Sequence, residues 1–533
     1  MFRAAAASEC ATMAARVEAA KKWGDHAGAK REWAEAAAGY AAAIELLPRL
    51  APRSLSRTDQ ERHLARIAGL ASSAAAAALR NGDPESAVRL LAQGRGVLYA
   101  QALDTRGDLS GLAAEYPELA AELAGLRERL DPVSRDASWE ESGHRRQDAD
   151  RWDELVAKAH ELPGFRSFLL PPALWELTDE AAAGPIIYVN VSEHGSDALT
   201  VTASGIQVVP LPDATPEALQ ERSEPYFAAV FGGAFDLATL TAANTEIVRM
   251  LGFLWDAIVA PILTALDLDQ PGDDGPPRIW WMPVGALSLL PLHAAGHHHE
   301  PGRSALDLVV SSYIPTIRAL RHGRRRPATT AGDGAIVVAM PHTPDVPDLP
   351  YAEPEAAVVH AAIPDTLVLS GAEATRDRIM TELARRPWAH FACHGAPDMA
   401  VPSAGQLIVH DHERDPLTVL DLGNLRMNGA RLAFLSACMT AAVPPRLGDE
   451  AIHLAAACQL AGYAHVIATA WPVRDRIALN FSELCYTELA RHGNPVTADD
   501  TEVALAVHTS VRKLRERYPN FPSLWAPYIH TGI

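Results

Sequence analysis

The chain has 533 residues, of which 48% are hydrophobic and 21% charged, and this composition is typical of a globular protein with several domains. Its formal net charge of -19 argues against direct nucleic acid binding and against binding to an anionic membrane. The five cysteines form no CxxC pair, so the sequence indicates neither a disulfide framework nor a thiol zinc site.

The N-terminus and the hydropathy pattern favour a cytoplasmic protein. Glu9 interrupts the alanine-rich first residues, which lack the strongly apolar core of a secretory signal. No segment approaches 18 uninterrupted apolar residues, and the phosphate-binding patterns GxxxxGK[ST] and GxGxxG are absent. We therefore expect no membrane contact, no cofactor and no metal, and a reducing environment in which a thiol can stay free.

Residues 1–130 have the alanine-, leucine-, glutamate- and arginine-rich composition of stacked helices. One candidate helical hairpin surrounds Gly39 and Tyr40, and a related one follows Gly82. The match to a repeat is degenerate, so tetratricopeptide-like repeats and a plain helical bundle are both open interpretations. Either architecture would present a groove to a protein partner or activator.

Two blocks of alternating strands and helices follow the helical region. The block at 165–327 contains predicted strands at 186–191, 198–202 and 278–282 and a helical span near 245–266. The block at 332–533 contains predicted strands at 335–340, 366–369, 388–392, 431–435 and 466–469. This alternation predicts α/β layers, and the similar make-up of the two blocks suggests duplication of one sheet unit.

A basic run, Arg321–Arg326, lies near the junction of the two blocks. Because Pro327 and small polar residues follow it, we interpret it as a solvated linker rather than a binding patch. Such a linker is also a candidate processing site.

Two predicted strands of the second block end beside reactive side chains. His394 and Gly395 follow the strand at 388–392, and Cys438 follows the strand at 431–435. The carboxyl ends of parallel strands meet in one crevice, which would bring the imidazole and the thiol together. The imidazole could then deprotonate the thiol and protonate a leaving amine, while the backbone N–H groups of Gly395 and Cys438 bind an oxyanion. A purely structural role for these strand-end residues remains open from position alone.

Several ordered motifs resemble those of the CHAT family, caspase-like cysteine peptidases often joined to tetratricopeptide repeats. The two main ones are HFACHG (His390–Gly395) and LSACMT (Leu435–Thr440). Further matches are Asp449-Glu450 with His453-Leu454, Leu460-Ala461-Gly462, His465-Val466-Ile467, Trp471-Pro472-Val473 with Asp475, and the closing stretch 524–532. The resemblance is strong over 335–533 and extends loosely to about 165.

The resemblance implies an α/β caspase-like fold preceded by an all-α, tetratricopeptide-like domain. In this interpretation 165–327 is an inactive caspase-like half and 332–533 the active half. His394 would be the general base and Cys438 the nucleophile of a peptidase. Ser436 stands where caspases have Gln and no Arg-Gly follows Cys438, so specificity for aspartate is not implied.

Other polar residues are weaker candidates for a role in the site. Asp449 and Glu450 follow the nucleophile closely, and they would either bind a basic substrate residue or cap the following helix. Cys393 and His390 are expected to be structural neighbours of the site, and Cys458 and Cys485 core thiols. His194 echoes His394, but that block offers it no thiol partner. The run at 297–300 (HHHE) is interpreted as a solvated loop rather than a metal site.

The leading hypothesis is a regulated endopeptidase that cleaves a protein substrate, with the N-terminal helices binding an activating partner. The resemblance further implies a role in bacterial defence or programmed cell death. The alternative is a CHAT-type interaction scaffold without catalytic activity.

Overall fold

The computed structural model describes the chain except for residues 107–108, 131–138, 167, 170–173, 233–236, 273–274, 326–333, 494 and 496–499. Its N-terminal helical region comprises α1 (Phe2–Ala7), α2 (Met13–Ala29), α3 (Trp33–Glu45), α4 (Leu47–Leu50), α5 (Arg57–Ala65), α6 (Leu70–Arg80), α7 (Pro84–Gly94), α8 (Val97–Asp104), α9 (Ser110–Glu115), α10 (Pro117–Leu130), α11 (Trp139–Glu161) and α12 (Leu174–Glu180). The predicted boundaries near 130 and 327 border residues outside the described part of the chain, and the domain limits stay predictions.

The helices of this region pack as successive hairpins, α2 on α3 and α6 on α7, with α3 against α6. A close approach joins α2 and α3, because a Cβ atom at Gly39 would lie 2.5 Å from the backbone nitrogen of Gly24. The buried ring of Tyr40 also lies directly on Gly24. These small residues, which lie in the candidate hairpin around Gly39 and Tyr40, therefore let two helices touch backbone to backbone. Their assignment to tetratricopeptide repeats stays a prediction.

The first α/β half follows the helical region. Its elements are β1 (Ile186–Asn190), β2 (Asp197–Thr202), β3 (Gly205–Pro210), α13 (Pro216–Phe231), α14 (Leu237–Leu254), α15 (Ala260–Ala265), β4 (Arg278–Pro283), α16 (Ala305–Leu308), β5 (Val310–Tyr313) and α17 (Ile317–Arg324). A π-helical turn, Trp255–Val259, joins α14 to α15. The strands predicted at 186–191, 198–202 and 278–282 are confirmed within one or two residues at their ends.

The second α/β half carries the remaining elements. They are β6 (Ala335–Ala339), α18 (Ala352–Ala362), β7 (Thr366–Ser370), α19 (Arg376–Leu383), β8 (Trp388–Ala392), β9 (His394–Ala396), β10 (Gln406–Ile408), β11 (Leu417–Thr418), α20 (Val419–Asn424), β12 (Leu432–Ser436), α21 (Leu454–Ala461), β13 (His465–Thr469), α22 (Asp475–Leu489), α23 (Asp500–Arg517) and β14 (Tyr528–Gly532). All five strands predicted for this block are confirmed.

One sheet of eleven strands runs through both halves, in the order β3-β2-β1-β4-β5-β14-β13-β12-β8-β6-β7 among the described residues. Strand β12 is parallel to β8, β8 to β6, and β6 to β7. Strand β14 is antiparallel to β13, and its parallel pairing with β5 joins the two halves. A small antiparallel sheet, β11-β10-β9, branches off beyond β8. The carboxyl ends of β8 and β12 consequently lie side by side.

Both faces of the large sheet are covered, which explains the uninterrupted apolar runs of its central strands. On β8, Ala389 and Phe391 face a core shared with the N-terminal helices. Trp388 and Ala392 face a second core, formed mainly with helices of the two α/β halves. The N-terminal helices therefore form part of one of the two layers that bury the sheet, together with α19, α20 and α21 of the second half.

The interpretation of the basic run near 321 as a solvated linker is wrong for residues 321–324. Residues up to Arg324 form α17, in which Arg321 pairs with Glu176 at 2.5 Å and Arg324 with Glu180 at 3.0 Å. These ion pairs to α12 replace the expected solvated linker over 321–324. Arg326 and Pro327 lie outside the described residues.

One helical span in the described chain, Ala238–Ala265, has the length and apolar composition of a helix able to cross a membrane. Within its most apolar window 61% of the residues are buried inside the protein, as they are in a core helix.

Candidate active site

Strand pairing brings His394 and Cys438 to one edge of the sheet. β8 and β12 are parallel neighbours, with Ser436 opposite Ala392. Cys438 follows Ser436 by two residues, and His394 follows Ala392 by two. Both side chains line one cavity of about 470 Å³. Its other lining residues are Leu349, Glu355, Ala392, Cys393, Ser436, Ala437, Thr469, Val473, Asp475, Ala478 and Tyr528.

A backbone carbonyl orients the imidazole of His394. Its Nε2 lies 2.8 Å from the carbonyl oxygen of Pro347, in the loop that precedes α18. A carbonyl can only accept a hydrogen bond, so in the neutral ring Nε2 carries the proton and Nδ1 carries the lone pair. Nδ1 is therefore the basic atom of this side chain.

The thiol of Cys438 is half-buried and donates a long hydrogen bond of 3.9 Å to the carbonyl oxygen of Val473. Burial raises the pKa of Cys438 above its usual range, and the negative charge of Asp475 raises it further. A hydrogen bond with the backbone of Val473 lowers the pKa of Cys438, but the net direction is upwards, which disfavours the thiolate in this conformation.

Gly395 lies against the backbone of Cys438. A Cβ atom at Gly395 would be 2.4 Å from the carbonyl oxygen of Cys438 and 3.4 Å from its backbone nitrogen. Only glycine permits this approach. It places the main chains of the two predicted oxyanion donors next to each other.

The last residue of β13 holds the turn that carries Cys438. The hydroxyl of Thr469 donates to the carbonyl oxygen of Ala437 at 2.6 Å, and its N–H donates to the hydroxyl of Thr440 at 2.9 Å. Thr469 thus contacts the chain on both sides of Cys438. Its role was missed from the sequence because it depends on which strand neighbours β12.

Asp475 is a second residue whose role the sequence did not reveal, although it stands in one of the family-like motifs. It is the first residue of α22, and its carboxylate accepts a hydrogen bond from the N–H of Tyr351 at 2.9 Å. Burial raises the pKa of Asp475, while the charge of His394 lowers it. The carboxylate therefore forms an acidic patch on the wall of the cavity, within electrostatic reach of His394 and Cys438.

A buried polar network supports the cavity from below. His390 pairs with Glu355 at 3.0 Å and bonds to the hydroxyl of Tyr486 at 3.1 Å. Glu355 also accepts a hydrogen bond from Ser482 at 2.5 Å. Cys393 is buried, and this burial raises the pKa of its thiol far above the usual range. These contacts and this burial are those of structural residues, so His390 and Cys393 are packed neighbours of the site.

The structure gives Asp449 and Glu450 neither of the roles predicted for them, which were to bind a basic substrate residue or to cap the following helix. Neither lines the cavity at Cys438, and neither caps α21, whose N-cap is His453. Asp449 instead pairs with Arg95, and Glu450 accepts a hydrogen bond from the N–H of Leu98. Both carboxylates face the N-terminal helical region, where a substrate side chain would have to displace buried partners.

The histidine run at 297–299 is only partly solvated, contrary to expectation. His297 bonds to Asp256 at 2.9 Å. His298 packs edge-on against Trp525 and bonds to the carbonyl oxygen of Ala294. Among the described residues, no group of three or more His, Cys, Asp or Glu side chains is arranged to hold a metal ion.

His194, in the first half, also has a structural environment. Its Nε2 lies 2.9 Å from the hydroxyl of Tyr40, and its ring packs against Gly28 of α2. This histidine contributes to the contact between the sheet and the N-terminal helices.

Comparison with solved structures places the chain in the caspase-like fold class. The Saccharomyces cerevisiae separase–securin complex at 3.0 Å aligns over 98% of this chain with a TM-score of 0.56 and 10% sequence identity. A second structure of that complex, at 2.6 Å, gives a TM-score of 0.54 over the same share. This chain spans 40% of the length of the separase chain.

The Arg-specific cysteine proteinase gingipain R aligns more loosely, over 54% of this chain and 67% of its own, with 10% identity and a TM-score of 0.36. No curated protein sequence matches the chain significantly. The CHAT domain model, in contrast, matches residues 248–533. The chain therefore belongs to the CHAT family, and its fold is that of the caspase-like cysteine peptidases with a helical region in front.

Proposed function

We propose that this protein is a cysteine endopeptidase that cleaves a protein substrate through Cys438 and His394. The observation that carries the proposal is the placement of both side chains around one cavity at adjacent strand ends, with Gly395 packed against the backbone of Cys438. The family and the fold agree with this chemistry.

Each step of peptide hydrolysis has a group suited to it. Nδ1 of His394 takes the thiol proton, and the sulfur of Cys438 adds to the carbonyl carbon of the peptide bond. The N–H groups of Gly395 and Cys438 bind the resulting oxyanion. The imidazolium then protonates the leaving amine as the C–N bond breaks, which leaves a thioester. Finally His394 removes a proton from water, whose oxygen attacks the thioester and releases the acid and the thiol.

The charge on the cavity wall supports a preference for basic substrate residues. Asp475 presents a half-buried carboxylate to the cavity that holds Cys438. A lysine or arginine before the cleaved bond would pair with this carboxylate, and the loss of water from the cavity would strengthen the pair. The same cation would oppose the effect of Asp475 on the thiol, and so favour the thiolate.

The hydrogen bond that the Cys438 thiol makes supports a resting enzyme that a partner activates. In this conformation Cys438 donates to Val473 rather than to His394. We place the activating protein partner on the N-terminal helices, whose hairpins cover part of one face of the sheet. A role in bacterial defence or programmed cell death fits such an enzyme and rests on the family resemblance alone.

A library of proteome-derived peptides tests the proposal. The full-length chain is incubated with the library, and new N-termini are identified by mass spectrometry. We expect cleavage after arginine or lysine by the wild type and none by Cys438→Ala or His394→Ala. Cleavage that survives in Cys438→Ala would exclude Cys438 as the nucleophile. No cleavage by the wild type, together with failure of Cys438 to react with a peptidyl ketone, would favour the non-catalytic scaffold.

A further inference from the structure

The segment that follows the nucleophile, residues 439–453, is held in an unfavourable backbone conformation. Met439 has φ of 57° and Ala451 has φ of 50°, and both angles belong to the left-handed region that non-glycine residues rarely adopt. Such a conformation persists only where surrounding contacts impose it. The contacts of this segment therefore determine the geometry on the C-terminal side of Cys438.

The main anchor of the segment is a buried arginine from outside both α/β halves. Arg95 stands between α7 and α8, and only 5% of its side chain is exposed. Its Nε donates to Oδ1 of Asp449 at 3.2 Å, and its Nη2 donates to the carbonyl oxygen of Pro283 at 2.7 Å. One guanidinium thus joins the N-terminal helical region, the end of β4 and the segment 439–453.

Backbone groups around Arg95 complete the anchor. The N–H of Gly96 donates to the carbonyl oxygen of Asp449 at 2.6 Å, and the N–H of Gly285 donates to its carboxylate at 2.8 Å. The N–H of Leu98 donates to the carboxylate of Glu450 at 3.0 Å. Asp449 is therefore held by both its side chain and its main chain, in a fixed position relative to Arg95.

We propose that Arg95 is a positioning residue of the peptidase site and acts through Asp449 on the backbone that follows Cys438. This inference rests on the proposed function and deepens it. The N-terminal helical region then supplies part of the active unit, and a partner that shifts the α7–α8 junction changes the placement of Cys438. The sequence alone could not reveal this contact, since 354 positions separate Arg95 from Asp449.

A second ion pair across the same boundary provides a matched control. Arg80 of α6 pairs with the buried carboxylate of Asp197 on β2 at 2.7 Å. This pair also fastens the N-terminal helices to the sheet, but no hydrogen bond or ion pair joins either residue to the segment 439–453 in the described part of the chain. Arg80→Ala weakens docking in general, whereas Arg95→Ala removes the anchor of the segment.

Two measurements on the full-length chain test the proposal. Hydrogen–deuterium exchange follows the peptides that cover 439–453, and the inactivation rate of Cys438 by an arginyl acyloxymethyl ketone is resolved into the maximal rate and the inhibitor affinity. For Arg95→Ala and Asp449→Ala we expect faster exchange in 439–453 and a maximal rate lowered about tenfold or more, with affinity changed less. Arg95→Lys, which keeps the charge, should recover part of the rate.

For Arg80→Ala we expect wild-type exchange in 439–453 and a wild-type rate. Equal effects of Arg80→Ala and Arg95→Ala, or unchanged exchange in 439–453 in both anchor variants, would overturn the proposal. The exchange measurement needs no catalysis. If the wild type fails to react with the ketone, the proposed function fails, while the exchange comparison still decides whether Arg95 holds the segment.

Discussion

At the scale of single residues, Gly395 links the close packing of the site to its proposed chemistry. Its Cα faces the carbonyl oxygen of Cys438 so closely that a methyl group would lie 2.4 Å from that oxygen. Any side chain there must push β9 away from Cys438. The same separation would displace the two N–H groups that are proposed to bind the oxyanion.

Gly395→Ala should therefore lower the turnover of a cleaved peptide about 100-fold or more, the size expected for loss of an oxyanion donor. Gly423→Ala is the matched control, because its added Cβ would find its nearest neighbours at 3.9 Å. We expect nearly wild-type activity in the control. Comparable activity in the two variants, measured as kcat/KM, would contradict the proposed geometry.

Asp475 offers a test of substrate selection that leaves the shape of the cavity unchanged. In Asp475→Asn the side-chain oxygen can still accept the hydrogen bond from Tyr351, while the negative charge is lost. The preference for arginine over glutamine before the cleaved bond, expressed as a ratio of kcat/KM values, should fall about tenfold or more. An unchanged ratio would show that another group selects the substrate.

At the scale of elements, the strands were predictable and the contacts of the loops were not. Apolar, β-branched runs such as 335–340 indicated buried parallel strands, and strand ends located His394 and Cys438. The carbonyl of Pro347 that orients His394, and the docking of Asp449 and Glu450, are long-range contacts of irregular chain. They depend on how distant segments pack, and no local periodicity encodes that packing.

Glu450 makes the docking of the segment 439–453 sensitive to pH. Burial raises the pKa of Glu450 to about 7. Its folded-state pKa therefore lies above the unfolded value, so its contribution to stability is complete below about pH 4.5 and is lost as the pH rises through 7. Between pH 5 and pH 8 this loss should amount to about 2 kcal/mol in the free energy of unfolding.

Glu450→Gln tests this expectation, since glutamine does not titrate and can still accept the hydrogen bond from Leu98. Relative to the wild type, the variant should gain stability as the pH rises from 5 to 8 in chemical denaturation. A constant difference between the two proteins over that range would contradict the raised pKa of Glu450.

At the scale of the whole molecule, one sheet with two buried faces binds the N-terminal helices and both halves together. Its packing also buries uncharged histidines. Burial lowers the pKa of His293, His298, His453 and His508 to about 4 each. A base whose folded-state pKa is depressed contributes stability above about pH 6.5, and that stability is lost as the pH falls towards 4.

The protein should therefore unfold more readily below pH 6, and His453→Asn should reduce this acid sensitivity. Asparagine can replace the N-cap contact that His453 makes to the N–H of Ala456 and carries no titrating group. We expect the stability lost by the wild type between pH 7 and pH 5 to shrink by about 1–2 kcal/mol in the variant. An identical acid loss in both proteins would mean that His453 titrates normally.

The reaction of Cys438 with an arginyl acyloxymethyl ketone, followed by peptide mass spectrometry, tests the catalytic pair most directly. We expect a thioether at Cys438 in the wild type that His394→Ala fails to form, although iodoacetamide alkylates Cys438 equally in both proteins after denaturation. Equal labelling of Cys438 in the wild type and in His394→Ala, or none in the wild type, would contradict a catalytic His394–Cys438 pair.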